Sequence, residues 1–174
     1  MSPRRPAAAG DDRQVAGYLR VSTRESGPTN AHKVNFQLVI DALASGTSTL
    51  FYCHCHTDLA RAGTAALVLS DQTELAVGEI AQLDLRRLES LTLVACASGQ
   101  PNPFVGPISV AHAAALAGVR QLVFSLWPIT AAHGARFVAG LLDDLASGGT
   151  TPDYLAALHI TSPLRAAPFG VMRR

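Results

Sequence analysis

The chain reads as one α/β domain of three layers, a mostly parallel sheet with helices on both faces. Three observations predict it. Unbroken apolar runs such as Thr49-Leu50-Phe51-Tyr52-Cys53 and Gln121-Leu122-Val123-Phe124-Ser125-Leu126 mark strands buried on both faces. Stretches with helical spacing of apolar residues alternate with those runs, the order expected when helices join parallel strands. The 174 residues, 48% apolar and 16% charged, match a single domain with one sizeable core.

Taken in order, residues 1–12 read as a flexible tail and 13–174 as the domain. Within the polar stretch 13–31, Val15, Tyr18, Leu19 and Val21 can supply a short strand. Phe36, Val39, Ile40 and Leu43 recur at i, i+3, i+4 and i+7, which predicts a helix over 33–45 that Gly46 stops. The strand at 49–53 runs into His54-Cys55-His56, and residues 57–64 read as a loop. Ala66-Leu67-Val68-Leu69 is a short strand ending at Ser70-Asp71, and a helix follows with Thr73 as N-cap. Leu91-Thr92-Leu93-Val94-Ala95 is the next strand, ending at Cys96. The proline- and glycine-rich stretch 97–107 is a loop, after which Ser109 caps a helix of small residues over 109–117. Beyond the strand at 121–126, Thr130 caps a helix over 131–146 with Val138, Leu141, Leu142 and Leu145 on one face. Thr151-Pro152 opens a last helix over 152–159, proline being favourable at the first helical position.

The bulk numbers exclude several classes of function. A formal net charge of +1 makes no electrostatic case for nucleic acid or an anionic membrane surface. No apolar run approaches the roughly 20 residues of a membrane span. The opening MSPRRPAAAG carries basic residues but no apolar stretch after them, unlike a secretory signal. Three cysteines, two of them one residue apart, do not make a disulfide framework, so a reducing cytoplasm is expected. No cofactor or metal is expected.

Sites on open α/β sheets lie beyond the carboxyl ends of the strands. His54 and Cys96 both stand where strands end. A cysteine is nucleophilic as its thiolate, and its ordinary pKa near 8.5 keeps it protonated at neutral pH. A nearby histidine can take that proton, and backbone N–H groups past a strand end can polarise a carbonyl. By itself the pattern also fits a small buried cysteine after an apolar strand.

Four segments, in order, sharpen the reading. Phe51-Tyr52-Cys53-His54 resembles the strand-to-histidine motif of CHAT domains, caspase- and separase-related cysteine peptidases. Val94-Ala95-Cys96-Ala97-Ser98-Gly99 is similar to their Ala-Cys motif with glycine shortly after. Ile108-Ser109-Val110-Ala111 through Ala117-Gly118-Val119 resembles the helix that follows, and Phe124-Ser125-Leu126-Trp127-Pro128-Ile129 their Leu-Trp-Pro strand end. The resemblance covers about residues 34–147. It implies a caspase-like three-layer sandwich and a cysteine endopeptidase with His54 as general base and Cys96 as nucleophile. It also implies an oxyanion site from the backbone N–H groups of Cys96 and Cys55. The family usually has glycine where Cys55 stands, and the tandem histidines permit a second register with His56 as base. The family also usually carries a longer segment before the histidine strand, so the resemblance implies an N-terminally shortened copy. Two functions follow from it: a peptidase acting on protein or peptide substrates, as an effector in bacterial signalling or defence under a regulatory partner protein, or an inactive interaction domain, a shortened relic.

Other signals are weaker. Trp127 follows a strand end and can line a substrate groove, and Asp58 and Asp71, in loops near the same edge, can read a basic side chain. Cys53-His54-Cys55-His56 holds four metal-capable side chains, but alternate residues of a strand point to opposite faces and no second cluster completes a zinc site. Tyr18-Leu19-Arg20-Val21-Ser22-Thr23 resembles the opening of serine recombinases, with Arg20 and Ser22 as the chemical positions, over six residues. A shortened domain leaves one sheet edge without a neighbour. Either Val15 to Val21 pairs with that edge, or the chain self-associates through it.

Overall fold

The structure, a computed structural model, describes residues 20–21, 36–45, 48–58, 64–69, 73–100 and 108–174. A five-stranded sheet lies at its centre, in the order β1-β2-β6-β7-β8. These strands are β1 (Arg20–Val21), β2 (Ser48–Tyr52), β6 (Ser90–Val94), β7 (Gln121–Ser125) and β8 (Phe169–Arg173). β2, β6 and β7 run parallel, while the two edges pair antiparallel.

The three central strands are buried on both faces because their residues alternate between two cores. Phe51, Leu91, Leu93, Leu122 and Phe124 join one core with α1 (Phe36–Ser45), α2 (Val77–Gln82) and α3 (Val110–Ala117). Leu50, Tyr52, Val94 and Val123 join the other with α4 (Ala131–Ala146) and α5 (Thr151–Thr161). This period-two division is what a strand with helices above and below requires. α1 inserts Val39 and Leu43, as its spacing predicts. Threonine hydroxyls cap α4 and α5: Thr130 accepts from the His133 N–H at 3.2 Å, and Thr150 from the Asp153 N–H at 3.3 Å.

Several expectations need correction. Ala66 to Leu69 does not extend the parallel sheet. Ala66 to Val68 fall on β4 (Thr64–Val68), with Leu69 just past it, in a separate antiparallel sheet of order β3-β4-β5 with β3 (His54–Asp58) and β5 (Glu74–Ala76). The reason is chain length. A parallel neighbour needs a crossover of a dozen residues or more, and too few separate β3 from β4, or β4 from β5, to supply one. Thr57, Asp58 and Thr64, expected in a loop, belong to that sheet. The helix expected after Thr73 begins at Val77 instead. The Ala76 N–H donates to the Glu79 carboxylate at 2.8 Å, half of a capping box, since alanine has no side-chain oxygen to return the bond. β8 and the short α6 (Pro163–Ala166) were not expected.

On the edge strand, Arg20 pairs with Leu50 and Val21 with Thr49, so Val21 of the expected stretch lies against the sheet edge. Val15, Tyr18 and Leu19 lie outside the described residues, as do Ser22 and the tail at 1–12.

The core beneath α4 is knit by aromatic contact. Phe137 stacks on Phe169 of β8 at 3.9 Å between centroids and meets Tyr154 of α5 edge-on at 5.4 Å. Phe137→Ala therefore opens a cavity at the meeting point of three elements. Urea unfolding should show a loss of about 3–5 kcal/mol; a loss below about 1 kcal/mol would mean that these rings do not bind the elements together.

Candidate active site

Tyr52 on β2 pairs directly with Val94 on the neighbouring parallel strand β6. His54 and Cys96 each follow two residues later, at the carboxyl end of the sheet. β2 stops at Tyr52 and bends at Cys53, so His54 opens β3 rather than ending a buried strand. It is exposed. Its neighbour Cys55 pairs with Leu67 and packs against the first core.

The chain after β6 is held by an unusual set of bonds. Ala97 has a φ of 51°, the left-handed region that a side chain strains to occupy. Its N–H donates to the Trp127 carbonyl at 3.3 Å, and the Gly99 N–H to the Ser125 carbonyl at 2.8 Å. Ser98, almost fully buried, accepts from the Ser125 N–H at 3.1 Å, and its own carbonyl takes the Ala111 N–H at 3.0 Å. These bonds tie the turn to the end of β7 and the start of α3. Gly99 is required by close approach, for a Cβ there would collide with the Phe124 ring. Within this frame Cys96 is partly buried, and its thiol donates to the Ile129 carbonyl at 3.4 Å.

Burial sorts the thiols. It pushes the Cys55 thiol up to about 12, with a further rise from the Cys96 sulfur. Burial raises Cys53 further still, helped by Cys55 and Cys96. Both stay protonated at neutral pH, as thiols packed against a hydrocarbon core should.

The other expected positions are partly described. Trp127 is 47% exposed just past β7, beside the Ala97 turn. His56 pairs with Ala66, and Asp58 closes β3 opposite Thr64 rather than sitting in a loop. The side chains of both, and all of Asp71, lie outside the described residues. Cys55, where the family usually has glycine, sits in extended β3 and does not adopt a positive φ; among the described non-glycine residues Ala97 does. Sequence reasoning missed Ile129, whose role is a backbone carbonyl, and Ser98, whose spacing after Cys96 could have marked it as a turn brace.

A cavity of about 490 Å³ lies at the opposite end of the sheet, lined by Ser48, Ser90, Thr92, Arg120, Leu142 and Thr151 among others. It touches none of the residues above. Among the described residues no three His, Cys, Asp or Glu side chains are placed to hold a metal ion, and no helix is long and apolar enough to cross a membrane.

The family model of the CHAT domain matches residues 2–162. This chain belongs to the CHAT family. No curated protein sequence matches it. CHAT membership accounts for the caspase-like architecture of a mixed α/β sheet between helices. The match also reaches beyond residues 34–147, where the motifs are legible.

Three outcomes follow for this CHAT domain. A thiolate-directed electrophile such as iodoacetamide should label Cys96 ahead of Cys53 and Cys55; even labelling by peptide mass spectrometry would contradict the burial argument. Gly99→Ala should lower stability by about 1–3 kcal/mol in thermal unfolding, because Phe124 must be displaced. Finally, a folded-state pKa raised from 9.0 to about 12 at Cys55 means that the native state holds its proton longer than the unfolded chain. Stability from that group is therefore complete below pH 9 and drains away as pH rises towards 12. Urea midpoints across that range should fall less steeply in Cys55→Ala than in the parent.

Proposed function

We propose that this CHAT domain is a cysteine endopeptidase that cleaves protein or peptide substrates through His54 and Cys96. The register of β2 on β6 carries the reading, since it sends the residues after Tyr52 and Val94 to one edge of the sheet. The imidazole takes the thiol proton, and the thiolate attacks the scissile carbonyl. The backbone N–H groups of Cys96 and Cys55 are the donors for the resulting oxyanion. Collapse expels the amine, protonated by His54, and leaves a thioester on Cys96. Water activated by His54 then hydrolyses the thioester. Trp127 supplies an exposed aromatic wall for the groove, with Asp58 and Asp71 as readers of a basic side chain and His56 as the alternative base.

CHAT membership and the free thiols Cys53, Cys55 and Cys96 support an effector working in a reducing cytoplasm, in bacterial signalling or defence under a regulatory partner. One observation favours a second reading, a non-catalytic interaction domain: the Cys96 thiol is bonded to Ile129 rather than to an imidazole.

Cleavage of a fluorogenic peptide library decides between them. Cys96→Ala should abolish turnover while leaving the circular dichroism spectrum unchanged, and His54→Ala should lower the rate by about 10²–10⁴-fold. Turnover that survives Cys96→Ala rules the peptidase reading out.

A further inference from the structure

We infer that the hydrogen bond from the Cys96 thiol to the Ile129 carbonyl is an autoinhibitory latch, which keeps the thiol hydrogen engaged by the backbone until the start of α4 shifts. The inference rests on the reading of Cys96 as nucleophile. Sγ lies 3.4 Å from the carbonyl oxygen. An amide carbonyl accepts a hydrogen bond but does not take up a proton at neutral pH, as an imidazole does. A hydrogen bond to the neutral form of an acid disfavours its ionisation, and the neutral thiol is not the attacking species.

The carbonyl sits on a segment fastened at both ends. Towards β7, the Trp127 and Ser125 carbonyls are bound by the Ala97 and Gly99 N–H groups of the Cys96 turn. Towards α4, the Thr130 carbonyl takes the His133 and Gly134 N–H groups, each at 3.0 Å, and its hydroxyl accepts from the His133 N–H. The Tyr52 hydroxyl then donates to the Ala131 carbonyl at 2.7 Å. Gly134 admits the tyrosine ring, since a Cβ there would stand 2.8 Å from Tyr52 Cε2. Ile129 is thus positioned by the first turn of α4, and that turn is hooked to β2 two residues before His54.

One displacement therefore serves two ends. Lifting the start of α4 withdraws the Ile129 carbonyl from the thiol and releases the end of the strand that leads to the base. The proton then passes from Cys96 to the His54 imidazole. One S–H bond breaks, one N–H bond forms, and a thiolate–imidazolium pair results with no change of oxidation state. Tyr52 and Thr130 are positioning residues in this scheme, because neither touches a reacting atom.

The test reads the thiol directly and needs no peptidase activity, so its failure is distinct from failure of the peptidase reading. Carbamidomethylation of Cys96 by iodoacetamide at neutral pH is followed by mass spectrometry in the full chain and in Tyr52→Phe and Thr130→Ala. Each substitution should speed labelling several-fold, up to about tenfold, the factor that one net hydrogen bond is worth. Thr150→Ala, which uncaps α5 instead, should label at the parent rate. Parent-rate labelling in both Tyr52→Phe and Thr130→Ala, or equal acceleration by Thr150→Ala, overturns the latch. Should a variant fold poorly, the infrared difference spectrum of the parent minus Cys96→Ala isolates the S–H stretch of Cys96, with Cys53 and Cys55 cancelling. The latch requires the lowered frequency of a hydrogen-bonded thiol, and the frequency of a free thiol refutes it.

Discussion

The parallel pairing of β2 with β6 governs everything else in this domain. Its register runs from Ser48 opposite Ser90 to Tyr52 opposite Val94, and the two serine hydroxyls meet at 2.8 Å where the strands begin. Because side chains alternate across a sheet, a slip of one residue would send Phe51 towards α4 and Leu50 and Tyr52 towards α1 to α3. Both cores would then lose the shapes they are packed around. The register that keeps the two cores distinct is also the one that delivers His54 and Cys96 to a common edge. Stability and the placement of these two residues are set by one hydrogen-bonded ladder.

The turn after β6 illustrates how a strained conformation is kept. An alanine in the left-handed region costs of order 1–3 kcal/mol relative to an ordinary backbone. Here Ala97 is flanked by backbone bonds to Trp127 and Ser125 and braced by the buried Ser98 hydroxyl. Together these bonds hold the backbone where it is. The strain falls one residue after Cys96, so the Cys96 backbone is presented by a turn that its neighbours over-determine.

The central strands and the main helices were legible because burial on two faces and capping chemistry both leave local marks. The unbroken apolar runs of β2, β6 and β7 admit few other readings, and Thr130 announces its helix through a hydroxyl placed for an exposed N–H. The hairpin of β3 with β4 was hidden because His54 to Asp58 is polar, with its described apolar contact made by the Cys55 thiol rather than by a branched side chain. β8 was hidden for another reason. Gly170 weakens its strand propensity, and it becomes a strand because β7 offers an open edge, a fact held elsewhere in the chain. At the candidate site, Cys96 was visible as a residue type just past a strand end, whereas His54 opens the hairpin strand β3 two residues beyond β2. The Ile129 carbonyl was not, since every residue except its placement offers the same group.

One residue, Cys53, separates the central sheet from the hairpin sheet, and this makes the stretch intolerant of length change. The exposed imidazole of His54 and the core-facing thiol of Cys55 alternate along β3. Inserting or deleting a single residue between Tyr52 and His54 would turn the strand over, carrying the imidazole into hydrocarbon and the thiol into water. Substitutions at Cys53 are a matter of packing volume, whereas any change in the count of residues there exchanges the inside of the domain for its outside.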